Sequence, residues 1–222
     1  MKIRNAFRLA IFDLDGTLMN TISDLACSCN HILKNLGYPT HDEKAYLRMV
    51  GNGIPKLIER ALPEEERNEE RIKEVTNLFI PYYKAHSCDL SAPYQGMTQV
   101  LATLIQRGYK LAVASNKFQG GVDEVVGHFF KDIPFTIALG AREGIPNKPN
   151  PQIVYDAMSA AHVHDKGLVL YIGDSDVDML TAQNAQVATC GVTWGYRSEE
   201  ELNAFQPTYI IHEPTDILDI LP

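Results

Sequence analysis

Apolar positions along the chain follow two rhythms. Short runs rich in apolar residues occur at 9–12, 111–114, 135–139, 168–172 and 187–192. A run that stays apolar on successive positions suits a strand covered on both faces of a sheet. Helical stretches near 97–107, 119–130, 151–161 and 177–184 separate the later runs. Strands alternating with helices predict a parallel sheet with right-handed crossovers and helices on both sides. Between residues 21 and 86 the apolar positions recur only at helical spacing. The expected architecture is therefore α/β, with a core over residues 1–17 and 88–222 and an all-helical insert over 18–87. The connections at 16–20 and 87–93 would act as hinges.

Within the insert, Thr21 and Asp24 have the spacing of a capping box at the head of a helix over 21–37. Its apolar stripe is Ile22, Leu25, Ala26, Cys29, Ile32, Leu33 and Leu36, and Gly37 with Pro39 ends it. Shorter helices are predicted over 42–49 and 54–62, parted by Gly51-Asn52-Gly53. Pro63 and three glutamates then open a helix reaching His86, because proline suits a first turn and carboxylates complement its positive end. Pro81 lies inside that helix and is expected to kink or split it.

Composition narrows the classes. With 222 residues, 45% of them apolar and 22% charged, the chain can bury a substantial core, as an ordinary globular enzyme does. A formal charge of −8 disfavours nucleic acid or an anionic membrane as partner, since either requires a basic patch. No run approaches a membrane span, and the apolar run near the amino terminus is short for a targeting segment. A cytoplasmic protein is expected, as a monomer or homodimer. Cys27, Cys29, Cys88 and Cys190 are scattered and are expected as reduced, mostly buried thiols.

The chemistry gathers where strands end. Run 9–12 stops at Asp13-Leu14-Asp15-Gly16-Thr17-Leu18, which places two carboxylates on one strand face at the edge where open α/β sheets bind ligands. Ser115-Asn116-Lys117 follows run 111–114, and Gly173-Asp174-Ser175-Asp176-Val177-Asp178 follows run 168–172. Lys148-Pro149-Asn150-Pro151 precedes a helix. Each string alone can be read plainly as a turn, a helix cap, a solvated cation or an acidic helix start. One parallel sheet would bring all four to a single edge, which makes separate coincidences the poorer account.

In order and identity these strings resemble the motifs of the haloacid dehalogenase superfamily, over essentially the whole chain. The resemblance implies a Rossmann-like core with an inserted helical cap, and a magnesium-dependent phosphatase acting on a small phosphorylated metabolite. It makes Asp13 the nucleophile, forming an aspartyl-phosphate, and Asp15 the acid that protonates the leaving alcohol and then the base that activates water. Mg2+ would be held by Asp13, the Asp15 backbone carbonyl and Asp174, with Asp178 in support. Ser115 and Lys148 would bind the phosphoryl oxygens, and Asp176 falls at a variable position, expected as a solvated charge.

The segment 50–54 is similar to the specificity segment of phosphoglycolate phosphatases. This implies 2-phosphoglycolate as first candidate substrate, with Gly51, Asn52, Gly53, Asn116 and Lys117 as binding residues. A phosphosugar mutase or pyrophosphatase of the same superfamily shares the core and differs in the cap. Carbon–halogen hydrolysis is disfavoured, because the hydrolases that perform it generally lack a carboxylate at the place of Asp15. A phosphoryl-accepting signalling module is less similar, since its acceptor lies on a later strand and it has no helical insert.

Overall fold

The computed structural model describes residues 7–222; residues 1–6, assigned to the core from sequence, lie outside the described residues. The first half contains β1 (Leu9–Phe12), β2 (Met19–Asn20), α1 (Ile22–Asn35), α2 (Glu43–Met49), α3 (Ile54–Ala61), α4 (Glu69–His86) and β3 (Ala92–Pro93). There follow α5 (Met97–Gln106), β4 (Lys110–Phe118), α6 (Gln119–Phe129), β5 (Ile137–Ala141), α7 (Gln152–Ala160) and β6 (Val169–Gly173). The chain ends with α8 (Asp176–Ala185), β7 (Ala188–Val192), α9 (Glu199–Asn203), β8 (Tyr209–Ile211) and α10 (Ile217–Ile220).

Six strands form one sheet in the order β5-β4-β1-β6-β7-β8, every neighbouring pair parallel. Chain order turns about β1, which has β4 on one side and β6 on the other. The carboxyl ends of these three strands thus border the crevice where α/β sheets bind ligands. Alternation explains why β1 has no polar position. Leu9 and Ile11 pack with Ile153 and Val154 of α7, while Ala10 and Phe12 face Leu101 of α5 and Val122 of α6. Each large side chain so buried contributes about 1.5–3 kcal/mol.

Helices α1 to α4 enclose a core of their own, with Leu33, Tyr46, Ile58, Phe79 and Tyr83 fully or almost fully buried. The chain leaves the sheet at β2 and returns at β3, and these pair antiparallel with Met19 opposite Pro93 and Asn20 opposite Ala92. The two connections read as hinges are therefore joined as one ribbon.

Three expectations within the insert are corrected. Thr21 and Asp24 form no capping box, because both side chains are drawn elsewhere: Thr21 Oγ1 donates to Asp15, and Asp24 accepts from Leu90 N, Ser91 N and Ser91 Oγ across the second connection. The glutamates after Pro63 form only a 3-10 turn at Glu64–Glu66; Asn68 then caps a new start by accepting from Arg71 N at 2.9 Å. Finally, α4 is not split at Pro81, which is exposed, so water can hydrate the carbonyl that proline leaves unpaired while Val75, Phe79 and Tyr83 hold the buried face.

In the core, the third strand lies at Ile137–Ala141, two residues beyond the expected start, and β4 extends past Ala114 to include Ser115, Asn116 and Lys117. Strand β8 and the short helices α9 and α10 carry too little pattern to be read from sequence.

Candidate active site

Asp13 continues the β1 line, its N–H donating to Ile172 O at 2.9 Å, and its carboxylate emerges at the strand's end only 7% exposed. Gly16 then turns the chain at φ 92°, where a Cβ would lie 2.3 Å from an Asp174 oxygen. Only glycine lets the two strand ends approach this closely. On β4, the register with β5 shifts between Ala114 and Phe118. Such irregularity re-aims side chains near a site, and here Ser115, Asn116 and Lys117 all line the cavity. On the β6 side, Ser175 opens α8 with a true capping box, accepting from Asp178 N and donating to Asp178 Oδ2 at 2.6 Å.

These elements bring Asp13, Asp15, Ser115, Lys148 and Asp174 to one cavity of ≈ 60 Å³. Lys148 Nζ lies 2.9 Å from Asp13 Oδ1 and 2.7 Å from Asp178 Oδ1, with its side chain 2% exposed. Burial pulls the Lys148 ammonium down, but the two carboxylates outweigh it and hold it well above its ordinary value. Tyr171 and the Ala114 carbonyl complete its surroundings. Burial also pushes Asp13 well above the carboxylate range, with Asp178 adding repulsion and Lys148 opposing it. The same two causes push Asp174 up to about 7.

A divalent cation fits this donor set. Asp13, Asp174 and Asp178 each offer an oxygen within 4.8 Å of the others, all three buried. Despite the ion pair with Lys148, Asp13 Oδ1 accepts no well-formed hydrogen bond. Three carboxylates at this spacing repel one another, and hard oxygen donors suit Mg2+. Asp178 is the most committed of them. Its Oδ2 accepts from Ser175 N and Oγ, and its Oδ1 accepts from Lys148 and Tyr171, so it fixes the lysine and the head of α8 in place.

Asp15 stands in different company. Its Oδ1 accepts from Thr21 Oγ1 at 2.7 Å and Lys117 Nζ at 3.1 Å. Lys117 is buried, donates also to the Tyr83 hydroxyl of α4, and lies 4.5 Å from that ring's centre. Expected to bind substrate, Lys117 is thus engaged with Asp15 and the insert. Asn116 likewise ties core to insert, donating to Gly51 O and Lys148 O at 3.1 Å each. Gly51 and Gly53 line the cavity at φ 108° and 85°, whereas Asn52 turns its side chain to Arg60 at 2.8 Å. Asp176 is half-exposed and lies 3.5 Å from Arg197 Nε.

The loop after β7 was not singled out from sequence. Tyr196 N donates to Asp174 Oδ2 at 2.7 Å, Tyr196 OH meets Thr21, and Arg197 lines the cavity wall. Trp194 Nε1 donates to Thr17 O at 3.0 Å, and a Cβ on Gly195 would lie 2.2 Å from Asp174 Cβ. The available signal was the chain's single tryptophan beside a glycine, directly past the carboxyl end of a strand.

Buried carboxylates and a lysine at the switch point of a parallel sheet, under a helical insert, define an enzyme with a Rossmann-like core. The chain belongs to the haloacid dehalogenase-like hydrolase family, whose model matches residues 10–192. It is 34% identical to a phosphoglycolate phosphatase of Haemophilus influenzae (strain 86-028NP), over 97% of this chain and 98% of that protein. It is 36% identical to the phosphoglycolate phosphatase of Pasteurella multocida (strain Pm70), with the same coverage of 97% and 98%. The crystal structure of a predicted phosphoglycolate phosphatase from Haemophilus somnus 129PT superposes with a TM-score of 0.89 at 32% identity, covering 98% of this chain and 99% of that one.

Proposed function

We propose that the protein is a magnesium-dependent phosphatase that hydrolyses a small phosphomonoester, 2-phosphoglycolate first among candidates, through an aspartyl-phosphate on Asp13. The observation that carries this reading is the Asp13 carboxylate held 2.9 Å from a buried, charged Lys148, with Asp15 two residues further on in the same small cavity. The names of the curated relatives support the substrate.

Asp13 attacks phosphorus and the ester oxygen departs, taking a proton from Asp15. Asp15 then removes a proton from water, which attacks the aspartyl-phosphate, releases phosphate and restores Asp13. Ser115 and Lys148 hold the phosphoryl oxygens, and Lys148 offsets repulsion between Asp13 and the substrate. Mg2+, held by Asp13, Asp174 and the Asp15 carbonyl with Asp178 in support, would neutralise the phosphoryl group's charge.

The helical insert acts as a cap. Gly51, Gly53, Leu57 and Tyr83 roof a cavity of ≈ 60 Å³, space for only about four to six waters. A cavity of that size suits a small ester, and a bound ester would displace water from around Asp13. A panel of phosphate esters that includes 2-phosphoglycolate, assayed with Mg2+, tests the reading. Release of phosphate from 2-phosphoglycolate is expected, and hydrolysis of no ester in the panel contradicts it.

A further inference from the structure

The four residues Trp194 to Arg197 form a strap from the end of β7 to the cap, and between them they contact the sheet side, Asp174 and the insert. Trp194 packs in the cluster beneath the sheet, while Tyr196 packs against the cap's own core. Gly195 lets the strap pass against Asp174, and Tyr196 N donates to that carboxylate. Arg197 then crosses the boundary: its Nη1 donates to Leu47 O at 2.6 Å and its Nη2 to Val50 O at 3.2 Å. Its side chain is 14% exposed, and Asp176 lies 3.5 Å from Nε on the core side.

We propose that Arg197 is a positioning residue that latches the cap's 50–53 loop over the substrate, and so sets preference for esters whose organic part reaches that loop. The inference rests on the phosphatase reading for its kinetic consequence, though not for the latch itself. The anchor points are cap backbone carbonyls, so the latch holds the path of the loop whatever side chains it carries. Asn116, donating to Gly51 O, supplies a second core anchor to the same loop. A planar guanidinium suits two carbonyls on one element; a lysine, as a single point charge, would reach them less well. The same strap also supports Asp174, so placement of the cap loop and of the carboxylate are mechanically joined.

Two variants separate the latch from general stability. Arg197→Met keeps much of the stem's packing and removes both donors, and Arg197→Lys restores one charge. In hydrogen–deuterium exchange on the full chain, the amides of Val50, bonded to Tyr46 O, and Leu57, bonded to Gly53 O, are expected to lose protection about tenfold or more in the Met variant and part of that in the Lys variant. Amides of β1 and β6 should stay as protected as in the unmodified protein. The Met variant should also lose about tenfold more kcat/KM for 2-phosphoglycolate than for acetyl phosphate, most of it in KM. Unchanged exchange at Val50 and Leu57, or loss spread evenly over the sheet, overturns the latch. Equal kinetic losses for both substrates overturn its role in preference. If the unmodified protein hydrolyses no ester, the phosphatase reading fails while the exchange result still decides the latch.

Discussion

Asp13 and Asp15 stand two residues apart and meet opposite surroundings, which is how two carboxylates can take two roles. Asp13 is enclosed with Lys148, Asp174 and Asp178, whereas Asp15 is partly exposed and held by Thr21 and Lys117. Asp15→Asn is expected to lower kcat by about 100- to 10,000-fold for an alkyl ester. The loss in ester cleavage should be smaller for 4-nitrophenyl phosphate, whose leaving group needs little protonation. Equal loss for both esters would make Asp15 a turn residue. A second expectation concerns the metal. Without a cation, Asp174 keeps its proton up to a pH of about 7, while unfolded it releases it near ~3.9. The folded state then holds the extra proton between those values, so this group's contribution to stability falls as pH rises through that window. A divalent ion competes with that proton. Mg2+ should therefore raise Tm, relative to EDTA, more above about pH 7 than near pH 5. An equal increment at both would remove Asp174 from the metal site.

Among the elements, α4 shows how tertiary packing overrides a local signal. Proline in a helix interior is about 3 kcal/mol less favourable than alanine, partly offset by about 0.4–1 kcal/mol from its stiffer unfolded chain. Because Pro81 lies on the exposed face between buried Phe79 and Tyr83, Pro81→Ala should stabilise the protein by about 2–2.6 kcal/mol. Chemical denaturation checks this, and an unchanged or lowered midpoint would mean that the ring itself contributes to packing. The strands of the sheet other than β8 were legible in sequence because burial on both faces leaves continuous apolar runs. Asp13, Asp15, Ser115, Lys148 and Asp174 were legible because each follows such a run or opens a helix. Contacts made through backbone groups or across the cap boundary were not. Nothing local marks Tyr196 N as a donor to Asp174, or Tyr83 as the partner that turns Lys117 toward Asp15. Asp24 read as a capping residue because its true partners, Leu90 and Ser91, lie 66 and 67 positions away.

For the molecule as a whole, an acidic chain has built a site that receives an anion. Its net charge is −8, yet Lys117, Lys148 and Arg197 line the same cavity between insert and core, beside Asp13, Asp15 and Asp174. Attraction for a phosphate ester is thus local, and it is stronger in a partly buried cavity than in open water. Among the described residues, no helix is long and apolar enough to cross a membrane. Core and insert meet through side chains that line the same cavity as Asp13: Asn116 and Arg197 bond the backbone of the insert at Gly51 and Leu47, and Lys117 bonds Tyr83. The whole arrangement converges on one claim, that Asp13 takes the phosphoryl group. Acid-quenching the enzyme during turnover of 2-phosphoglycolate with Mg2+, followed by peptide mass spectrometry, tests it directly. A phosphoryl increment confined to the peptide bearing Asp13, and absent from a folded Asp13→Asn variant that does not turn over, is the predicted result; a fully active Asp13→Asn protein, or a phosphoryl group on another residue, would contradict it.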